Sequence, residues 1–201
     1  MRRTLAAALL VTVLGLAVAW WGTDGFRAYT AETARREQVL RNPRPLPDVA
    51  LEDQNGRLFH LQDYGGRLVA VEFIYTRCET LCRSLGAAFK QIREAVAPQT
   101  LARDFALVSI SFDPAHDEPP RLARYARDFG ADGEHWRIAR PRSAADSAAL
   151  LHAFDIVVIP DGRGGYEHNA AIHLLDRRGR LVRISDIGEP ARFVAGLREF
   201  L

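Results

Sequence analysis

The sequence predicts an α/β domain, a mixed sheet flanked by helices, carried behind an apolar N-terminal segment. Three observations predict it. Two long apolar runs are rich in β-branched and aromatic residues, segments of helical period alternate with them, and hairpin turn signals stand near both ends.

Taken in order, Arg2 and Arg3 precede an uncharged run from Leu5 to Trp21. At about 1.5 Å per residue, that run reaches across most of a bilayer core. Trp20 and Trp21 stand where an aromatic belt would lie, and the leading arginines would stay cytoplasmic. Ala17-Val18-Ala19 resembles a signal-peptide cleavage site, but the bulky Trp20 directly after it fits that pattern poorly, so a retained anchor is preferred. Either way the rest of the chain is exported. Residues 1–22 are thus read as anchor or signal segment, 23–46 as a tether, and 47–201 as the folded domain. Within the tether, Ala28 to Arg41 is polar and compatible with a helix. Asn42 to Pro47, with three prolines, makes an extended spacer.

In the domain, Gln54-Asn55-Gly56 separates two short strand-like segments as a hairpin turn. Leu68 to Tyr75 reads as a central strand covered on both faces. Leu81, Leu85, Ala88, Phe89, Ile92 and Val96 then recur at helical spacing up to the breaker Pro98. Phe105 to Phe112 is a second buried strand. Pro119-Pro120 opens a helix that closes at Gly130, a short strand surrounds Trp136 to Ala139, and Ser143 caps another helix. His168 to Leu175 and Leu181 to Ile184 flank the turn Asp176 to Gly179, and a last helix runs from Pro190 to Leu201. Alternation of strands and helices implies parallel pairs with right-handed crossovers, and the closing hairpin adds antiparallel strands. The thioredoxin fold has this plan.

Composition narrows the function. The charge is +2, with 27 basic residues interleaved among 25 acidic ones, so there is no stripe for nucleic acid. Cysteine usage is more telling. The two cysteines, Cys78 and Cys82, lie four positions apart in a domain large enough to fold without a disulfide, which points to reactive or metal-binding thiols. At a helix start, C-x-x-x-C puts both sulfurs on one face, with Cα atoms about 6 Å apart, within reach of a disulfide or of one shared metal ion. The helix N-terminus, Arg77 and Arg83 all favour thiolate. Geometry alone does not choose between disulfide exchange and metal binding. Two soft thiolates suit Cu(I) or Zn(II), and structural zinc usually takes four protein ligands. Two sulfurs with one imidazole would make a three-coordinate site of the kind Cu(I) accepts. His168 and His116 both stand at strand ends that could meet the cysteines. His173, five residues after His168, points to the opposite face of an extended strand, and His60, His135 and His152 lack a local ligand context.

Three segments occur in a familiar order: Phe73 to Cys82 (FIYTRC-x-x-x-C), Ser109 to Asp117 (SISFDPAHD) and His168 to Asp176 (HNAAIHLLD). From Pro45 onward the chain resembles the Sco/SenC family, membrane-anchored thioredoxin-like copper proteins that help assemble cytochrome c oxidase. The resemblance implies a copper chaperone with Cys78, Cys82 and His168 as metal ligands and Asp113 at the family's acidic position. It also implies a location on the periplasmic side of the inner (cytoplasmic) membrane, and a partner that is the copper-binding subunit of the oxidase or another copper protein. Members commonly have Pro after each cysteine, where this chain has Glu79 and Arg83. They usually place the histidine between Asp and Ser or Thr, where this chain has Glu167-His168-Asn169. An acid beside one thiol opposes thiolate formation. A second reading is a thiol–disulfide reductase acting on a partner's copper-ligand cysteines through Cys78 and Cys82. A peroxidase of the same fold fits poorly, because Thr76 stands only two residues before Cys78.

Overall fold

The computed structural model describes residues 2–23, 25, 30–78 and 81–200, without the side chains of Arg2, Leu81 and Cys82. It divides into two compact units, residues 1–42 and 43–201. The first holds α1 (Arg2–Gly22) and α2 (Ala31–Arg41). Within α1, Arg3–Gly22 has a mean hydropathy of 2.1, long and apolar enough to cross a membrane, a test that a signal sequence also passes. Thr30 caps α2 by accepting from the Thr33 N–H, and Glu32 binds Arg35 and Arg36 one turn on.

In the second unit the first strand is β1 (Arg44–Pro45), followed by the hairpin β2 (Leu51–Asp53) and β3 (Leu58–Phe59). The hairpin turns at Asn55-Gly56, where Gly56 takes the left-handed φ of 75° that such a turn requires. Next come β4 (Leu68–Ile74), α3 (Leu81–Ala95), α4 (Pro98–Arg103) and β5 (Phe105–Ser111). After them run α5 (Pro119–Phe129), β6 (Trp136–Pro141) and α6 (Ala144–Ala153). The chain closes with β7 (Val158–Pro160), β8 (Tyr166–His168), β9 (Ile172–Leu175), β10 (Arg180–Ser185) and α7 (Pro190–Gly196).

Eight strands form one sheet in the order β1-β10-β9-β4-β5-β6-β2-β3. β4, β5 and β6 are parallel and central, with Val71 beside Val108 and Ile110 beside Ala139. β9 lies antiparallel to β4. Every residue of β4 and β5 is buried, as expected for strands covered on both faces. Trp136 meets Phe89 of α3 on one face, where α3 also contacts α5 and α7. Phe154, at the end of α6, packs on Phe73 and His173 on the other. The mixed α/β plan with helices on both faces is therefore present.

Local differences have identifiable causes. Pro98 does not only end α3; it opens α4, a place where proline's missing N–H costs nothing. Arg44–Pro45, expected in an extended spacer, pairs with β10 at the sheet edge, where proline is tolerated. The single strand expected from His168 to Leu175 is broken at residues 169–171, so His168 ends a separate two-stranded ribbon, β7-β8. The last helix stops at Gly196 and tightens into a 3₁₀ turn, Leu197–Glu199.

Candidate thiol and imidazole site

Because β4 and β5 run in parallel, their C-terminal ends lie side by side and the loops that follow them meet. The first loop carries Thr76, Arg77 and Cys78; the second is Asp113 to Glu118. Asp117 joins them. Its fully buried carboxylate accepts from the Thr76 N–H at 2.9 Å, from the Thr76 hydroxyl at 2.5 Å and from the Ser111 hydroxyl at 2.5 Å. Three donors onto one buried carboxylate fix the approach to Cys78, two residues on. Asp113 makes a second tie, accepting from the Arg77 guanidinium at 2.7 Å and bonding to His116 Nδ1 at 2.8 Å. It is thus a loop-holding group directed at Arg77. The pairing occupies His116, whose side chain is 50% exposed.

Cys78 is half-buried and its N–H reaches back to the Tyr75 carbonyl at 3.3 Å. It borders a cavity of about 730 Å³ whose opposite wall is the β7-β8 ribbon, with Ile159, Tyr166, Glu167 and His168. Two residues distant in sequence, Cys78 and His168, are thereby brought to one opening. Aromatic side chains seat the ribbon. Phe112, just past β5, lies 5.0 Å from the His168 ring, 5.7 Å from Tyr166 and 5.3 Å from Tyr75, centroid to centroid. The Tyr75 hydroxyl donates to the Tyr166 carbonyl and accepts from the Tyr166 N–H, both at 3.1 Å. Asn169 secures the ribbon's base, accepting from the Val157 N–H at 2.7 Å and donating to the Asp155 carbonyl at 2.9 Å. The amide thus accepts through its oxygen and donates through its nitrogen, tying residues 155 and 157 to the ribbon's end.

Burial of His168 pulls its pKa down from 6.5 to about 4, so the ring is neutral at physiological pH, the form that can ligate a metal. Cys82 follows the start of α3, but its side chain and the whole of Glu79 lie outside the described residues. Among the described residues no group of three His, Cys, Asp or Glu side chains is gathered closely enough to hold a metal ion. The donors described, one thiol and one neutral imidazole, are of the soft and borderline kind that suits copper or zinc. His173 stands apart from this site: it is fully buried in β9, with Nδ1 3.2 Å from the Val71 carbonyl, against Phe73 and Phe154. His60 and His135 bind Asp48 and Asp132 elsewhere.

Glu72, in the middle of β4, has no counterpart in the sequence reading. It is fully buried, accepts from the Ser109 hydroxyl at 2.5 Å, and Ser109 in turn accepts from Trp136 Nε1 at 2.9 Å. Desolvation raises its pKa from 4.5 to about 8, so it stays largely protonated at neutral pH. Asp117 was also missed. The signal for Glu72 is one acid inside an otherwise apolar strand; for Asp117 it is a second acid in the Asp-Pro loop.

The SCO1/SenC family model matches residues 43–199. The SCO1 protein homolog of Bacillus subtilis is 24% identical over 134 residues, which is 66% of this chain and 68% of that protein. The structure of Bradyrhizobium japonicum ScoI with copper bound superposes with a TM-score of 0.67 at 24% identity, covering 78% of this chain and 99% of that one. BsSco, a Sco-family cytochrome c oxidase assembly protein in which a disulfide switch was identified, has a TM-score of 0.67 at 20% identity, covering 78% and 92%. The fold is that of these proteins, a thioredoxin-like mixed sheet flanked by helices.

Proposed function

The chain belongs to the SCO1/SenC family, and from that premise we propose that it binds copper through Cys78, Cys82 and His168 and delivers it to a copper protein. The copper-binding subunit of a respiratory terminal oxidase is the proposed recipient. Residues 1–22 anchor it in the inner (cytoplasmic) membrane, the stretch up to residue 42 tethers it, and the domain from residue 43, with Arg44–Pro45 paired into its sheet, works on the periplasmic side. The observation that carries this reading is the cavity shared by Cys78 and His168. A thiolate there supplies charge and softness, and a neutral imidazole supplies a further donor without a proton to displace. Asp113 supports the site through Arg77. The relative ScoI, with copper bound, supports the choice of metal.

Cu(I) titration of the reduced, detergent-solubilised full chain against a competing chelator tests the reading. His168→Ala should weaken binding by about 100-fold, as losing a ligand costs at least what losing a ligand's outer partner does. Unchanged affinity in that variant sinks the three-ligand site.

A second reading is thiol–disulfide exchange, in which Cys78 attacks a partner's disulfide and Cys82 resolves the mixed disulfide, leaving the partner as dithiol and the pair oxidised. The disulfide switch of BsSco and the partly exposed Cys78 favour it. Copper-free protein should then reduce a disulfide peptide, and a Cys82→Ser variant should stall at the mixed disulfide. Full reduction by that variant would exclude the mechanism.

A further inference from the structure

Cys78 borders a second cavity, on the side away from His168. It measures about 340 Å³ and is lined by Thr76, Arg83, Tyr125, Asp128 and Phe129 as well as the cysteine. Thr76, Tyr125 and Asp128 also line an adjoining cavity of about 480 Å³, whose remaining wall is Arg77, Pro120, Arg121 and Arg124. The joined groove runs along α5 and ends at the thiol. We propose that it is the docking groove for an acidic, extended segment of the protein that exchanges with Cys78. The inference rests on the reading of Cys78 as the working thiol.

Charge argues for the occupant. Among the described lining residues, four exposed arginines, 77, 83, 121 and 124, stand with one acid, Asp128, in a chain whose overall charge is only +2. Arg77 is committed to Asp113, whereas Arg83, Arg121 and Arg124 form no ion pair with any described residue. Such a cleft concentrates anions, and guanidinium groups bind carboxylates in a fork geometry. The cavity on the other side carries the opposite balance, with Asp161 and Glu167 against Arg163. An acidic segment is thus drawn to the α5 side and turned away from the His168 side. The groove's shape argues for a polypeptide over a bilayer. It is concave, with the buried Tyr125 and half-buried Phe129 in its wall, and a flat headgroup surface could neither fill it nor bring a sulfur to Cys78.

The test uses the full chain carrying Cys82→Ser, reduced and copper-free, in nanodiscs of zwitterionic lipid. Short synthetic peptides each carry one cysteine, activated as a mixed disulfide with thionitrobenzoate and flanked by aspartates, by lysines or by serines. The Cys78 thiolate attacks the peptide sulfur, a Cys78–peptide disulfide forms, and the coloured thionitrobenzoate anion leaves. Rates are divided by those of a small free thiol to remove intrinsic reactivity. The aspartate peptide should be captured about 10-fold faster than the lysine peptide at low salt, the ratio falling toward one at high salt. The charge-reversed variant R121E/R124E should invert the preference. Equal rates for the two peptides, or a preference that R121E/R124E leaves intact, overturns the proposal. So does an anionic nanodisc that slows capture of the serine peptide by the chain with native arginines but not by R121E/R124E, since the arginines would then face lipid. No copper is involved, so failure of the copper reading leaves this ratio untouched.

Discussion

On one side of Cys78 the loop is tied into the central sheet by a buried carboxylate; on the other, His168 arrives on a ribbon that shares no strand with that sheet. The first side is held by charge-assisted bonds inside the core, the second by aromatic edges and two backbone clamps, Tyr75 and Asn169. Each side also buries one titratable group against its ordinary preference, and the two shifts have opposite consequences. Glu72 holds a proton that it would lose if exposed, and His168 refuses one that it would accept. The thiol is therefore positioned before any ligand arrives, while the imidazole depends on a smaller and separately seated element.

The largest expected effect uses pH to separate the sides. With its pKa raised, Glu72 contributes stability that is complete below pH 4.5 and lost as pH rises to about 8. His168, its pKa lowered, contributes stability present above pH 6.5 and lost as pH falls to about 4. Over the shared range, 4.5 to 6.5, the two slopes cancel; above it only the loss from Glu72 remains. Denaturant titrations should find that Glu72→Gln removes the alkaline decline, and that His168→Gln exposes an uninterrupted decline of about 4 kcal/mol from pH 4.5 to 8. A Glu72→Gln profile that still falls above pH 6.5 would show that another group causes the decline.

The next effect is smaller and confined to the cysteine side. Asp117→Ala strands the Thr76 N–H and two hydroxyls, and should cost about 3 kcal/mol in a chemical melt. It should also loosen the Cys78 loop while leaving the β7-β8 ribbon protected in hydrogen exchange. A loss below about 1 kcal/mol would mean that the loop is held by something other than this carboxylate.

The two sides were unequally legible in the sequence. β4 and β5 announce themselves as unbroken apolar runs, and Asn55-Gly56 marks its hairpin, because burial on both faces and left-handed turns leave strong residue signatures. The β7-β8 ribbon leaves a weaker signature. Ile156 to Ile159 is a short β-branched run, but its partner Tyr166–His168 is three residues long without alternation, and no residue of either strand is buried, so the pairing across Gly162, Gly164 and Gly165 is not written in the pattern. Asp113 and Asp117 look alike in sequence, since either could cap or turn. Only the parallel register of β4 with β5 decides that Asp117 is the one beneath Thr76. Glu72 was hidden by its neighbours, because a strand's hydrophobicity says nothing about the hydroxyl that an adjacent strand will supply.

Tyr75 carries a consequence that burial alone does not. A single hydrogen bond sets a distance, but this phenol oxygen engages both the N–H and the C=O of Tyr166. Two contacts to one peptide segment set an angle as well, as a door pinned at two points loses its swing. The residue that keys the ribbon's orientation stands three positions before Cys78, so one short stretch of chain carries both the thiol and the hold on the arm that bears His168.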